Sequence, residues 1–293
     1  MVIPDVSALP DIQNERDTRG IALDKVGVRG YKAPFGILIK NDGVQNTVGE
    51  FDIYCSLNSE TKGANMSRFS QVINKALEKA VSIHAVFDML KACQERLKSS
   101  ESYVRVDFPY FMKKKAPVSK TESYSQYRCI LEGRDTDKRG LELFVTVYVE
   151  YMSLCPCSRD MSACGHDDCG DVVGKGAHNQ RSMGMITVSL TDASLSDPER
   201  FVWLEDLIEL VERHASCPIW NTLKRPDEMW VTEASYKNPK FVEDVARDVA
   251  KELIGQESWA KRVNGFIFIS EHHESIHQYD ASCVVRGGEV YIP

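Results

Sequence analysis

The stretch that decides the fold is Leu141-Glu-Leu-Phe-Val-Thr-Val-Tyr-Val-Glu-Tyr151, which is followed after one residue by Ser153-Leu-Cys-Pro-Cys-Ser-Arg159. The first part is rich in β-branched and aromatic residues, as is typical of a buried strand. The second part opens a segment, residues 153–181, that holds four of the nine cysteines and two of the seven histidines. Soft ligands at the end of a rigid strand are well placed to hold a metal ion or a reactive thiolate. The sequence therefore predicts that the chain folds around this segment.

The bulk composition is typical of a globular protein. The chain has 293 residues, of which 43% are hydrophobic and 27% charged, with a net charge of −7. This length suggests about two domains, and the acidic total argues against a general nucleic-acid binder. We see no basic or apolar leader, the apolar runs are too short to cross a membrane, and an odd number of cysteines fits a reducing compartment. We therefore expect a cytoplasmic protein that binds neither nucleic acid nor membrane.

Hydrophobic periodicity divides the chain into strands and helices that recur in the same order in each half. Period-2 alternation predicts strands, and apolar steps of three and four residues predict helices. The predicted strands are 35–40, 48–57, 103–108, 124–131, 141–151, 183–190, 264–270 and 281–291. Residues 67–97 are predicted to form two helices or one bent helix, and Asp197-Pro198 and Asn238-Pro239 are predicted to start two more.

This order of elements predicts an α+β fold with antiparallel sheets and helix pairs on one face. We expect an N-terminal arm over residues 1–30 and two tandem units, 31–150 and 151–293, the second of which contains the cysteine-rich loop. Such sheets leave a face and edges uncovered, so oligomerisation is expected to complete them.

The candidate metal ligands are scattered along the second half of the sequence. Cys155 and Cys157 are one residue apart, less than the gap of about two to four residues in a zinc knuckle, and the proline between them stiffens the link. His178 lies 21 residues beyond Cys157, His277 lies near the C-terminus, and Glu228 lies in a predicted loop. Spacing alone favours a metal or catalytic role for the cysteine pair, whereas each histidine and Glu228 is more typical of an ordinary surface or hydrogen-bonded side chain.

Nine motifs then point to a known family. They are Pro10-Asp-Ile-Gln13, Val26-Gly-Val28, Lys62-Gly-Ala-Asn-Met-Ser-Arg-Phe69, Lys115-Ala-Pro-Val-Ser119, Ser153-Leu-Cys-Pro-Cys-Ser158, Gly176-Ala-His-Asn-Gln-Arg-Ser182, Lys224-Arg-Pro-Asp-Glu228, Asn238-Pro-Lys-Phe-Val-Glu-Asp244 and Glu274-Ser-Ile-His277. In order and over nearly the whole length, they resemble the GTP cyclohydrolase IB family, which has the tunnelling fold. The resemblance implies hydrolysis of GTP to 7,8-dihydroneopterin triphosphate and formate, the first step of tetrahydrofolate biosynthesis. It also implies that the same product can be used to make a queuosine precursor.

The resemblance also implies residue roles and an assembly. It implies a divalent metal ion, Zn²⁺ or Mn²⁺ with Fe²⁺ as a further candidate, and a homotetramer that completes a barrel and has active sites at subunit interfaces. The residues it places in the site are Cys155, His178, Glu228 and His277 as metal ligands, Cys155, His178 and Cys157 in catalysis, Glu243 on the guanine, and Arg68, Arg181 and Lys224 on the substrate. The further cations Lys113, Lys114, Lys115 and Arg225 are left as unranked candidates for the triphosphate.

Two features depart from the family pattern. Asn65 stands where the family usually has histidine, which puts one phosphate or proton contact in doubt. Residues 161–175 form a longer connection than usual and add Cys164, His166 and Cys169. This insertion is compatible with a cap on the site, a second metal site, a redox gate on the nearby cysteines, or a plain loop.

Two other functions remain open at the level of sequence. One is a tunnelling-fold nitrile reductase that uses a cysteine nucleophile and NADPH, although the motifs at 176–182 and 274–277 match the cyclohydrolase instead. The other is a non-enzymatic, cysteine-rich zinc or redox protein that uses residues 155–169.

Overall fold

A computed structural model of the chain describes residues 12–41, 43–163 and 176–290. Its strands are β1 (Leu23–Ile39), β2 (Gly43–Leu57), β3 (Ser102–Lys115), β4 (Glu122–Thr136), β5 (Gly140–Leu154), β6 (Asn179–Leu190), β7 (Val263–His272) and β8 (Ala281–Gly288). Its helices are α1 (Met66–Ala76), α2 (Ile83–Leu97), α3 (Pro156–Ala163), α4 (Asp192–Ser196), α5 (Leu204–His214), α6 (Arg225–Lys237), α7 (Val242–Gly255) and α8 (Glu257–Ala260). Within this part of the chain, no helix is long and apolar enough to cross a bilayer.

All eight strands belong to one sheet, in the order β1 to β8 along the chain. The registers of β2 with β3, and of β5 through β8 with one another, are antiparallel. The predicted α+β class with an antiparallel sheet is confirmed, and the strands of both halves join a single sheet. The predicted boundaries at residues 30 and 150 stay predictions.

Contacts divide the described residues into two compact units. The first contains residues 12–38, 43–108 and 131–143, and the second contains 39–41, 109–130, 144–163 and 176–290. In the first unit, α1 and α2 contact each other and β2. In the second unit, α7 packs on α5, β7 and β8. The predicted placement of a helix pair on each unit's strands is therefore seen within each unit.

The first unit follows its hydrophobic pattern closely. Every second residue of β2 from Phe51 to Leu57 is buried, as the alternation predicts. The predicted break near residues 82–84 separates two helices, because Ser82 caps α2 by accepting a hydrogen bond from the backbone N–H of His84. Asn65 caps α1 in the same way, since its Oδ1 accepts from the N–H and the hydroxyl of Ser67.

Strand β1 is longer than the predicted strand at 35–40. Its first half contains glycines that are typical of turns, but in the structure these glycines allow β1 to pair closely with β2. A Cβ on Gly27 would lie 2.0 Å from the carbonyl oxygen of Ile53, so only glycine allows this close approach to β2. Gly30 has φ +72° and its N–H donates to Asp52 Oδ1 at 2.8 Å.

The two predicted proline helix starts are wrong. Asp197 opens only a short 3₁₀ turn at Pro198–Arg200, in which its carboxylate accepts from the N–H of Glu199, and α5 begins at Leu204. The side chain of Asn238 binds carbonyl groups instead of capping a helix, and α7 begins at Val242. Helices α3 and α6 were not predicted.

Candidate functional site

Cys155 lies between the end of β5 and the first turn of α3. Its N–H donates to the carbonyl oxygen of His178 at 3.1 Å, and its carbonyl oxygen accepts from the N–H of Arg159 at 3.1 Å. Its sulfur accepts from the N–H of Ser158 at 3.5 Å. The thiol is half-buried, whereas Cys157 on the same helix turn is exposed. The strand end and the helix start therefore fix the direction of the Cys155 sulfur.

His178 is brought to Cys155 by the pairing of β5 with β6. The register pairs Leu154 with Asn179, so the two residues occupy adjoining backbone positions. The N–H of His178 also donates to Ser158 Oγ at 3.2 Å. These bonds hold two of the predicted site residues together, although 23 positions separate them in the sequence.

A chain of hydrogen bonds leads from the His178 ring to two residues that the sequence analysis did not predict, Gln180 and Glu274. The ring Nδ1 lies 3.2 Å from Oε1 of Gln180, and Nε2 of Gln180 donates to Oε1 of Glu274 at 3.2 Å. Gln180 is only 8% exposed. Both residues lie inside quoted motifs, and the period of a strand puts residues two apart on the same face, so Gln180 could have been predicted beside His178.

A third motif reaches the same strand end from the helical layer. The N–H of Leu154 donates to Ser216 Oγ at 3.2 Å, and its carbonyl oxygen accepts from the N–H of Lys240 at 3.1 Å. Asn238 Nδ2 donates to the carbonyl oxygens of Ala215 and Ser216. The segment 238–244, which carries Glu243, is thereby attached to the strand that ends at Cys155.

A buried polar cluster lies beneath this strand end. Ser153 and Ser182 share a hydroxyl hydrogen bond of 2.8 Å, and Tyr151 and Ser270 share one of 2.6 Å. His272 is 3% exposed, packs edge-on against the Tyr151 ring, and has no partner for Nε2 among the described residues. Burial, helped by the positive charge of His273, lowers the pKa of His272 to about 4. His272 is therefore a neutral core residue at physiological pH.

The motif at 224–228 forms the start of α6, where a loop was predicted. Asp227 is fully buried and accepts from the N–H groups of Val118 and Ser119 at 2.8 Å and of Lys224 at 2.9 Å. Burial raises the pKa of the Asp227 carboxyl, but its hydrogen bonds to Ser119, Lys224 and Val118 outweigh burial and hold that pKa well below its usual range. Asp227 thus joins this motif to the motif at 115–119, while Glu228 beside it is exposed.

The remaining predicted residues lie in several places. Glu243 is exposed in the first turn of α7, and His277 is exposed in the loop between β7 and β8, where it stacks on Tyr279 with ring centroids 4.9 Å apart. Arg181 is exposed on β6 and pairs with Glu150 at 3.5 Å. Arg68 belongs to the first unit.

The predicted metal ligands are only partly assembled. The structure brings Cys155 and His178 together, but in the described residues no three His, Cys, Asp or Glu side chains form a group that could hold a metal ion. Glu228 and His277 therefore do not join that pair within one chain. Cys164, His166 and Cys169 of the insertion lie outside the described residues.

The comparison with known proteins decides the family. A model of the family described as "Type I GTP cyclohydrolase folE2" matches residues 9–283. The chain belongs to this family. It is 39% identical over 283 residues to the GTP cyclohydrolase FolE2 of Azoarcus sp., covering 97% of this chain and 96% of that one. It is 40% identical over 277 residues to the GTP cyclohydrolase FolE2 of Thermosipho africanus, covering 94% and 96%.

Membership of the type I GTP cyclohydrolase folE2 family confirms the coarser part of the resemblance that the nine motifs indicated, a type I GTP cyclohydrolase, and the IB type stays a prediction. The family is named for an enzyme, so it favours the cyclohydrolase over the nitrile reductase and over a non-enzymatic zinc or redox protein. The structure also explains one departure from the family pattern, because Asn65 has a local role as the cap of α1.

Solved structures with little sequence similarity share the fold. The uricase from Bacillus fastidious aligns with a TM-score of 0.52 at 8% identity, over 90% of this chain and 93% of that one. The uricase from Arthrobacter globiformis aligns with a TM-score of 0.50 at 6% identity, over 91% and 94%. At these identities the likeness concerns the tunnelling-type fold alone.

Proposed function

We propose that this protein is a GTP cyclohydrolase I of the IB type, which converts GTP to 7,8-dihydroneopterin triphosphate and formate. The observation that carries the proposal is the meeting of the motifs at 153–158 and 176–182 at one strand end, in a chain that belongs to the GTP cyclohydrolase FolE2 family. In this proposal the product enters tetrahydrofolate biosynthesis, with queuosine precursor as a second use.

The reaction requires water at C8 of the purine, cleavage of the resulting formamide, and proton transfers during ring opening and reclosure. Cys155 and His178 supply a thiol and an imidazole at adjoining positions, and Cys157 supplies a second thiol two residues after Cys155, in the first turn of α3. Because a histidine that binds a metal ion cannot also act as a free base, His178 would act in catalysis through the ion that it holds. We assign Cys155, Cys157 and His178 to catalysis on this basis.

The donor types at the strand end fit a divalent metal ion. A thiolate and an imidazole suit Zn²⁺, and the carboxylate of Glu228 would also admit Mn²⁺ or Fe²⁺. When bound, such an ion lowers the pKa of water so that hydroxide is available near neutral pH. We propose that Cys155 and His178 are two of its ligands and that Glu228 and His277 complete the set.

Metal content tests these ligands without relying on activity. Purified protein should contain close to one equivalent of Zn, Mn or Fe by elemental analysis. The variants Cys155→Ala and His178→Ala should lose it, whereas Cys283→Ala, a half-buried cysteine on β8, should retain it. Retention of the metal by all three variants would refute the ligand set.

Substrate contacts are assigned by side-chain chemistry and availability. Glu243, exposed at the start of α7, can accept two parallel N–H donors from a guanine edge. Among the described residues the side chains of Lys224 and Arg225 form no ion pair with a carboxylate, and they stand at the N-terminus of α6, where an anion is favoured. By contrast Lys114 is engaged by Glu212. We propose Lys224 for the triphosphate, with Arg181 and Arg68 as further contacts.

We propose that the protein works as a homotetramer whose sheets complete a barrel, with active sites at subunit interfaces. Strands β1 and β8 are the edges of the sheet, and such edges are available for pairing with another copy. A second chain would also supply the metal-binding neighbours that Glu228 and His277 lack among the described residues of one chain. Light scattering coupled to size-exclusion chromatography should give four times the 33.1 kDa chain mass. A monomer at micromolar concentration would refute this assembly.

We place the protein in the cytoplasm as part of the same proposal. Cys55, Cys93 and Cys217 are buried and form no disulfide, and burial raises the pKa of Cys93 to about 12 and of Cys217 to about 11. Unpaired cysteines are the rule in a reducing compartment.

The direct test is turnover of GTP with Zn²⁺ or Mn²⁺, followed by detection of formate and of the fluorescent oxidised neopterin. Cys155→Ala should abolish both products, and Cys283→Ala should leave them unchanged. A parallel assay of NADPH consumption with a 7-deazaguanine nitrile tests the reductase. Turnover of GTP by Cys155→Ala at the wild-type rate would reject the catalytic assignment.

A further inference from the structure

Two hydrogen bonds connect Glu274, in the loop after β7, to the ring of His178. Glu274 Oε1 accepts from Gln180 Nε2 at 3.2 Å, and Gln180 Oε1 faces His178 Nδ1 at 3.2 Å. The backbone of His178 is held separately, by Cys155 on its carbonyl side and by Ser158 on its N–H side. His178 is therefore fixed both at its backbone and at the Nδ1 atom of its ring.

The chemistry of these groups sets the direction of both bonds. A carboxylate can only accept, so the amide of Gln180 must turn its NH₂ toward Glu274. The carbonyl oxygen of the same amide then faces His178, and it too can only accept. The Nδ1 atom of His178 must consequently carry the proton. No other orientation of the amide satisfies both contacts.

We infer that Glu274 and Gln180 are positioning residues that hold His178 as the Nδ1–H tautomer and leave the lone pair of Nε2 free. The inference rests on the proposed function only for the use of Nε2, which is thereby directed to a metal ion or to a proton on the substrate. An imidazole ligand whose other nitrogen donates to a fixed acceptor is the arrangement by which proteins orient such ligands.

The burial of Gln180 favours a single orientation of its side-chain amide. Gln180 is 8% exposed, so water cannot easily replace Glu274 as the acceptor that orients the amide. The strand pairing of Ser153 with Gln180 sets the backbone of the glutamine, and the loop after β7 supplies the carboxylate. Glu274 is three residues before His277, so the same loop both orients one proposed ligand and carries another.

The tautomer can be read directly by NMR. Metal-free protein labelled with ¹⁵N-histidine is examined by two-bond ¹H–¹⁵N correlation about two pH units above the usual imidazole pKa of about 6.5. The His178 signals are identified by their loss in His178→Ala. The wild-type protein should show a protonated Nδ1 and an unprotonated Nε2. Gln180→Met and Glu274→Gln should both move the ring toward the Nε2–H tautomer.

Glu271→Gln is the matched control, because Glu271 is an exposed carboxylate on β7 that lies outside the chain of hydrogen bonds. This variant should keep the wild-type tautomer. In a competition with a chromophoric chelator, Gln180→Met and Glu274→Gln should bind Zn²⁺ about 10- to 100-fold more weakly than the wild type, as is usual when the partner of a ligating histidine is removed. Glu271→Gln should bind with wild-type affinity.

A wild-type ring protonated at Nε2 would overturn the inference, and so would an Nδ1–H tautomer that survives in both variants. If Gln180→Met fails to fold by circular dichroism, Glu274→Gln alone decides, because Glu274 is only half-buried. Wild-type protein that shows the Nδ1–H tautomer but no GTP turnover would reject the proposed function and leave the inference standing. GTP turnover by a protein whose His178 ring is protonated at Nε2 would support the proposed function and reject the inference.

Discussion

Replacing His272 with phenylalanine should remove most of the loss of stability that the protein suffers between pH 6.5 and pH 4. Burial against Tyr151, together with the charge of His273, lowers the pKa of His272 from 6.5 to about 4 in the folded state. The unfolded chain therefore binds a proton at a higher pH than the folded chain does. The contribution of neutral His272 to the free energy of unfolding is therefore present above pH 6.5 and is lost as the pH falls toward 4.

The size of this effect follows from the two pKa values. A difference of 2.5 units corresponds to about 3 kcal/mol in total, and about 2.5 kcal/mol of this is lost between pH 7.5 and pH 4.5. Phenylalanine fills a similar volume beside the Tyr151 ring and has no group to protonate. The free energy of unfolding of His272→Phe should therefore fall by about 2.5 kcal/mol less than that of the wild type over this range.

Urea unfolding followed by circular dichroism measures this difference, at one protein concentration and with a chelator present so that metal binding adds no pH dependence. His84→Gln is the control, since His84 is exposed at the start of α2 and its replacement should keep the wild-type pH dependence. The reasoning is refuted if His272→Phe and the wild type lose stability in parallel between pH 7.5 and pH 4.5.

Three further changes test the structure. Asp227→Ala should raise hydrogen exchange at the amides of residues 118–119 by about tenfold, because those N–H groups lose their acceptor; unchanged exchange would contradict the contact. Asn65→Ala should lower the free energy of unfolding by about 1 kcal/mol through loss of the α1 cap, whereas Asn65→Asp should not; equal losses in urea unfolding would exclude capping. Lys114→Met should cost about 2 kcal/mol because it leaves the half-buried carboxylate of Glu212 without its cation, and the double variant with Glu212→Gln should recover most of this loss; no recovery would show that the charge pair is not the cause.

Periodicity predicted the elements whose burial is one-sided. The alternation around Phe51 and the apolar stripe through Phe69 follow directly from packing one face against a core, and both hold in the structure. Helix α6 was not predicted because its sequence has no clear apolar stripe. Its exposed positions include Met229 and Trp230, while its buried positions include Asp227. Its start is specified by hydrogen bonds to a loop more than 100 residues earlier, which no local pattern reports.

The helix starts at Asp197 and Asn238 failed for a related reason. An Asp-Pro or Asn-Pro pair predicts a cap only if the side chain is free to bind the first turn. The Asp197 carboxylate is used in a local turn, and the amide of Asn238 is used to bind the end of α5. A competing local turn therefore overrides the helix signal at Asp197, and tertiary contacts override it at Asn238.

The candidate site shows the same division between local and tertiary information. Cys155 and His178 were conspicuous by residue type, whereas Gln180 was passed over because a glutamine has no reactive group of its own. The period of the strand places Gln180 beside the His178 ring, but its importance appears only when the loop after β7 brings Glu274 to the Gln180 amide. The motif at 176–182 thus combines one reactive side chain with the group that orients it.

The connection between α5 and α6 relates the two clusters of motifs in the second unit. Cys217 pairs with Met152 through two backbone hydrogen bonds, close to the strand end that bears Cys155. Three residues later Trp220 donates to the carbonyl oxygen of Lys115 at 3.0 Å, at the end of β3 and next to the loop that Asp227 also holds. Because this short segment is attached at both ends, a displacement at Trp220 would move the start of α6 relative to the Cys155 strand. The position of Lys224, which we propose for the triphosphate, therefore depends on the contact between Trp220 and Lys115.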